Sequence, residues 1–272
     1  MESTTELMHG HQLPKPKMHF RMQRLLPWLI PAAVIIGWQL SSQVGWISSA
    51  TLPSPVAVLQ DGVSLWQSGE LQKNLSVSLY RATTGLLIGG SLGFILGFIN
   101  GLSKVCRGLF DTSIQMLRNI PHLSLIPLVI IALGIGETAK ISLVAIGVMF
   151  PVYINTFHGI RSVDPELIEM GHSYGLSRWQ LFTKIILPGA LPTILMGFRY
   201  ALGVMWTTLI VAETISASSG IGYLATNAEE FMDMKTVIFC IIVYAVLGKI
   251  SDLLAKMLED ICLEWRQAES RA

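Results

Sequence analysis

Residues 82–103 run for 22 positions without one ionisable side chain, and this run constrains the fold more than any other feature of the chain. A helix of about 20 residues rises about 30 Å, the thickness of a bilayer's hydrocarbon core. Comparable apolar runs occupy 28–44, 119–136, 141–160 and 187–212, the last interrupted by Arg199. A sixth, 236–248, holds only 13 charge-free residues, a length more typical of a core or interfacial helix. It spans only if Lys249 snorkels and the helix continues to Leu254. In lipid every backbone polar group must be satisfied within its own segment, so these runs predict helices. The expected fold class is all-α, a polytopic membrane protein of about six transmembrane helices.

Charged residues make up 14% of the 272 positions, against about 25% in a soluble domain, so the lipid bilayer is the expected surrounding. A net charge of +1 gives no basis for a nucleic-acid partner. Cys106, Cys240 and Cys262 have no paired spacing, which argues against a disulfide framework or a metal site. Residues 1–20 are polar and the first apolar run lacks a small-residue cleavage site, so it reads as a retained anchor. There is no internal repeat. The expected division is an N-terminal tail 1–24, a permease-like domain 25–254 and a C-terminal tail 255–272.

Basic residues set the orientation. With six spans, one side receives both tails and the loops 104–118 and 158–184, which together with Lys249 hold 14 of the 19 Lys and Arg residues. The other side receives four: Lys73, Arg81, Lys140 and Lys235. Both termini are therefore expected in the cytoplasm. Pro53 and Pro55 break the chain after the first span, and a short segment 56–66 follows on the outer face.

The segment 158–188 is the most informative. Asp164 can cap a helix that begins with Pro165 and runs through Glu166, Glu169 and Tyr174. Gly175 can end it in a left-handed turn. Ser177 and Gln180 form a capping box for a second short helix, 178–186, and Pro188 and Pro192 frame the entry to the fifth span. The prediction is two short helices at an angle on the cytoplasmic face, with little beneath them to pack on. On spacing alone an ordinary loop would serve as well.

Glu169-Met170-Gly171, three residues, Gly175, nine residues, then Ile185-Ile186-Leu187-Pro188 resembles the E-A-A-x3-G-x9-I-x-L-P loop of binding-protein-dependent ABC importer permeases. The departures are Met170 and Gly171 at the two alanine positions, and Gly171 loosens a helix by about 1 kcal/mol relative to alanine. The runs 111–121 and 199–223 are similar to the aliphatic sulfonate permeases, in the taurine, nitrate and sulfonate branch of that family. The resemblance implies a type I ABC importer permease in the bacterial inner membrane. It implies a homodimer, two cytoplasmic ATP-binding subunits and an external substrate-binding protein. The 164–188 elbow would be the coupling helix, with Glu169 meeting a basic group of the ATPase and Tyr174 and Trp179 adding apolar contact. A helix pinned at both ends transmits rigid-body motion, which a floppy loop does not.

Gly85, Gly89, Gly93, Gly97 and Gly101 recur every four residues and form a ridge where another helix can approach closely. Gly89, Ser91 and Gly93 also match G-x-S-x-G, but that hydrolase elbow needs a strand–turn–helix setting. Arg199 is the one charge inside an expected span, and beside the path of a fixed anion it would lower the barrier. It could equally be structural. Glu213, at the far end of the same span, is the second candidate for the path, through a partner cation in a closed gate. No phosphate-binding G-x-x-x-x-G-K-[ST] loop occurs. ATP would therefore be bound by the partner, with no cofactor, metal or catalytic residue on this chain. A stand-alone secondary transporter predicts buried coupling acids and an inverted repeat, and an intramembrane hydrolase predicts a histidine near Ser91.

Overall fold

The computed structural model describes residues 20–46 and 48–265, so the outer parts of both expected tails lie outside the described residues. The chain divides into two compact units, 1–56 and 57–272. The boundary between the units falls in the first turn of the helix Pro55–Gln67.

In the first unit, α1 (Phe20–Val44) carries the apolar stretch Leu29–Val44. After it the Trp38 indole N–H donates to the Pro53 carbonyl (3.1 Å), and the Gln39 side-chain oxygen accepts from the Val56 N–H (3.4 Å). These bonds fix the return of the chain. The next helix, α2 (Pro55–Gln67), opens on a proline, whose missing N–H costs nothing in a first turn.

The second unit continues with α3 (Glu70–Leu102), which Gly69 introduces at φ +80°. Then come α4 (Lys104–Arg118), a 3₁₀ turn His122–Leu125, α5 (Ile126–Leu133) and α6 (Glu137–Arg161). The remaining helices are α7 (Pro165–Ser173), α8 (Arg178–Leu181), α9 (Leu187–Ser216), α10 (Ile221–Glu230) and α11 (Met234–Cys262), with a π turn Phe182–Ile186 between α8 and α9. There is no strand among the described residues. Among the described residues four helices are long and apolar enough to cross a membrane: α3, α6, the continuous stretch Arg178–Ile215, and α11. The short sixth run is one of them, because its helix passes Lys249 and Leu254 and ends at Cys262.

The third expected span differs. Lys104–Arg118, expected as a loop, is a helix, and together with His122–Leu133 it makes a pair bent by 87°. Pro121 sits in the break, where it supplies no N–H and disfavours helical geometry at Ile120. The stretch 213–235 between the fifth and sixth apolar runs is likewise largely helical, formed by the end of α9 and by α10. Arg81 and Lys140, counted above as loop cations, are buried within α3 and α6.

The glycine ridge explains how α3 meets α6. A side chain built on Gly89, Gly93 or Gly97 would run into the main-chain oxygens of Ala145, Met149 and Tyr153, while Gly85 and Gly101 face Val144 and Ile160. Backbone cannot rotate out of the way, so this approach requires residues without Cβ. Both series of numbers climb together, which makes α3 and α6 parallel. A chain linking two parallel spans must return between them, and the bent pair is that return. By contrast α9 is antiparallel to α6: Gly159 meets Ala190, Gly197 meets Asn155, and Gly147 meets Thr208.

Candidate functional site

The elbow begins with Asp164, whose Oδ1 accepts from the Glu166 N–H at 2.9 Å, and Pro165 is the first residue of α7. Gly175 takes φ +73°, a conformation an L side chain adopts only at a cost of about 1–2 kcal/mol. Its N–H donates to His172 (2.9 Å), and the Leu176 N–H donates to Gly171 (3.0 Å), closing the end of α7. Ser177 and Gln180 form the reciprocal capping box, at 3.3 and 2.9 Å. Tyr174 stands at the cap, one residue past α7.

The second helix is not a separate short one. It passes from α8 through the π turn into α9, so Arg178–Ile215 is continuous. Within that turn the Leu187 N–H reaches back to Phe182, a widened step that admits the Pro188 ring without breaking the helix. Nor does the elbow lack support. Val163 and Ile160 pack with Ala190 and Ile194, and Ile168, Ile185 and Ile186 close over them. Gly171 is the buried point where α7 touches the second helix: a Cβ there would lie 2.6 Å from Leu181 Cδ1 and 2.7 Å from Ile185 Cδ1. The close contact offsets the helix-loosening expected of glycine. Outward on the elbow stand Glu166, Leu167, Glu169, Met170, Tyr174 (79% exposed) and Trp179 (71% exposed), with His172 and Arg178 also exposed. An apolar and acidic knob therefore stands on a pinned base, at the end of α6 and the start of α9.

At the opposite end of the bundle lies a buried ionic network. Arg81 and Glu213 side chains are each 0% exposed and meet at 2.8 Å. Arg81 also donates to Glu137 (2.6 Å) and to the Ser219 carbonyl (2.6 Å). Glu213 accepts from Ser78 (2.9 Å), Tyr244 (3.0 Å) and the Gly222 N–H (2.9 Å). Ser78 Oγ and Asn74 Oδ1 accept from the N–H groups of Ile221 and Gly220. Every element of this corner is tied to every other through one charge pair. Glu213 is thus committed to bonds within its own chain, with Arg81 as its partner cation.

Arg199 is neither the one charge in a span nor alone. Its Nε donates to Asp252 (2.7 Å) and its NH1 lies 3.7 Å from Glu259, both on α11, and the side chain is 42% exposed. It borders a cavity of about 630 Å³ with Met196, Tyr200, Gly203 and Thr207, on an open face of α9. A second cavity, of about 430 Å³, adjoins it and shares Tyr200 and Val204. Arg118, Asn119 and His122, from the break between α4 and α5, form its other wall. His122 Nε2 lies 3.0 Å from Thr208 Oγ1, and both approach Gly147, where a side chain would not fit.

Sequence reasoning missed the Arg81 network and this break. Asn74, Ser78 and Arg81 do lie three and four residues apart, a polar stripe on one helix face that could have signalled a buried network. Ser91 is exposed in the interior of α3, so its G-x-S-x-G match is not a nucleophile elbow.

A parallel pair of glycine-packed spans, a broken return helix and a pinned elbow define a polytopic membrane transport subunit. The family model described as "Binding-protein-dependent transport system inner membrane component" matches residues 89–260. The chain is 58% identical to a putative aliphatic sulfonates transport permease protein of Escherichia coli (strain K12), over 90% of this chain and 93% of that one. It is 43% identical to a protein of the same description from Bacillus subtilis (strain 168), over 88% and 87%. Among solved structures, an amino acid ABC transporter with histidines shares the fold, at TM-score 0.61 and 20% identity over 73% of this chain and 96% of that one. The chain belongs to the inner-membrane component family of binding-protein-dependent transport systems, and is a multi-pass transport subunit rather than an enzyme.

Proposed function

We propose that the chain is the translocating subunit of an ATP-driven importer of aliphatic sulfonates. The observation that carries the substrate is the 58% identity, over nine-tenths of the chain, to a protein of that description. The chain works as a homodimer, with two cytoplasmic ATP-binding subunits and one substrate-binding protein on the outer side, and both termini lie in the cytoplasm. Each ATP-binding subunit receives one elbow: Glu166 and Glu169 meet basic groups, and Tyr174 and Trp179 enter an apolar cleft. Because α8 is continuous with α9, a displacement of the elbow turns the whole of Arg178–Ile215 as one lever. The open face of α9, with Arg199, Tyr200 and Thr207, lines the path. Arg199 holds its wall through Asp252, while the glycine ridge and Glu213 hold the bundle that the lever turns against.

Taurine and nitrate are the alternative cargoes within the same branch. Cells lacking this chain, and no redundant importer, are expected to fail on alkanesulfonates as sole sulfur source and to grow normally on sulfate. Unimpaired growth on alkanesulfonates removes the substrate. Failure of the tagged chain to co-purify with an ATP-binding subunit removes the importer itself.

A further inference from the structure

Resting on the sulfonate-import reading, we infer that the break between α4 and α5 is a mid-membrane subsite for the sulfonate headgroup, with Arg118 as its charged ligand and Asn119 beside it. Gly147 and Pro151, which line the same cavity, straddle the midpoint of α6, a helix long enough to span. The break therefore lies near the middle of the bilayer. Non-helical backbone at that depth is tolerated only where it is buried in protein or lines a water-filled cavity. Asn119, Ile120 and Pro121 are exposed beside this cavity, and the subsite requires it to hold water. Its volume, about 430 Å³, falls within the roughly 300–1,000 Å³ usual for small-molecule sites.

The charge pattern singles out Arg118. Arg81 is bound by two carboxylates and Arg199 by two others. Arg118 is exposed, and among the described residues it bonds the neutral Gln115 at 3.4 Å, which in turn reaches Asp111 at 3.5 Å. An intramembrane cation with no carboxylate in direct contact among the described residues is costly and marks an ion path. A sulfonate is a permanent monoanion with three acceptor oxygens, and the guanidinium offers a fork of N–H donors to such groups. Asn119 adds an amide and Tyr200 a hydroxyl on the facing wall. The His122–Thr208 contact across Gly147 fixes the turn that aims these groups. A single cation partly open to water suits a stepping stone, which must hold the anion and let it go.

The test is uptake of labelled ethanesulfonate by vesicles carrying the complete importer, with its ATP-binding subunits and loaded binding protein, alongside the yield of assembled complex. Capture outside sets the half-saturating concentration, so that value is expected to stay fixed. Arg118→Gln is expected to lower the maximal rate roughly tenfold, the loss typical of one charged hydrogen bond. Arg118→Lys is expected to lose only about two- to threefold, because the point charge survives. Asn119→Asp changes no shape but adds an opposing charge, and is expected to lose as much as Arg118→Gln. Lys104→Gln, at the far end of α4, is expected to leave uptake unchanged. If Arg118→Gln does not assemble, Asn119→Asp decides alone. Full maximal rates in both, or equal losses in Arg118→Gln and Arg118→Lys, overturn the subsite. Wild-type vesicles that import no sulfonate overturn the substrate reading with it, so the two failures are distinguishable.

Discussion

Arg81 carries its charge inside the protein, with the Glu213 and Glu137 carboxylates and the Ser219 carbonyl replacing water. Removing one partner from such a set leaves the others charged and unsolvated, at about 3–5 kcal/mol. Glu213→Ala is therefore expected to reduce the folded yield sharply and to lower the melting temperature in detergent. Arg199 presents the opposite case. Its pair with Asp252 is open to solvent, which screens it, so the pair adds little to stability. Arg199→Gln should melt close to wild type, so any loss of uptake belongs to the path. A Glu213→Ala chain as stable as wild type would show the network to be dispensable.

Helix α7 shows how one element joins two requirements. Its start and end are set locally, by Asp164 and by the left-handed Gly175, and its middle is held by Gly171 against Leu181 and Ile185. Nothing lies within 4 Å of a Cβ built on Gly175, so a larger residue there meets no clash and strains only the backbone. Gly175→Val is expected to leave the chain in the membrane at normal yield but to re-aim Tyr174 and Trp179. Stimulation of ATP hydrolysis by loaded binding protein should fall severalfold, and that assay checks it. Unchanged stimulation would mean that the turn does not shape the docking knob. A clash-driven effect, by contrast, is expected along the α3 ridge, where an added Cβ meets main chain.

For the whole molecule, the directions of the spans follow from who meets whom: α3 and α6 run together and α9 runs against them. The proposed orientation, with the elbow in the cytoplasm, puts Glu70 and Glu230 outside and Lys104 and Met170 inside. In a cysteine-free background an impermeant thiol reagent added outside is expected to label Glu70→Cys and Glu230→Cys, and to spare Lys104→Cys and Met170→Cys. Labelling of Glu230→Cys from the inside alone would require a different set of crossings. The basic-residue split that motivates this orientation counted Arg81 and Lys140 as loop charges, whereas both are buried in the bundle.

The sequence by itself determined what is local or periodic. Long charge-free runs demand helices in lipid. Asp164, Gly175 and the Ser177–Gln180 box act within four residues of their partners, and the four-residue glycine period needs one helix to become a smooth ridge. Tertiary structure decided whatever depends on which helix lies opposite. Arg81 meets Glu213 across 132 positions of chain, so neither residue alone tells a loop charge from a buried pair. Arg118 reads as one more basic residue near a membrane end, until the bend at Pro121 carries it to the middle of α6. Gly171 reads as a weak helix residue, until Leu181 and Ile185 close on it. In each case local preferences are small free energies summed along the chain, whereas a buried charge or a missing Cβ takes its value from the neighbour that folding supplies.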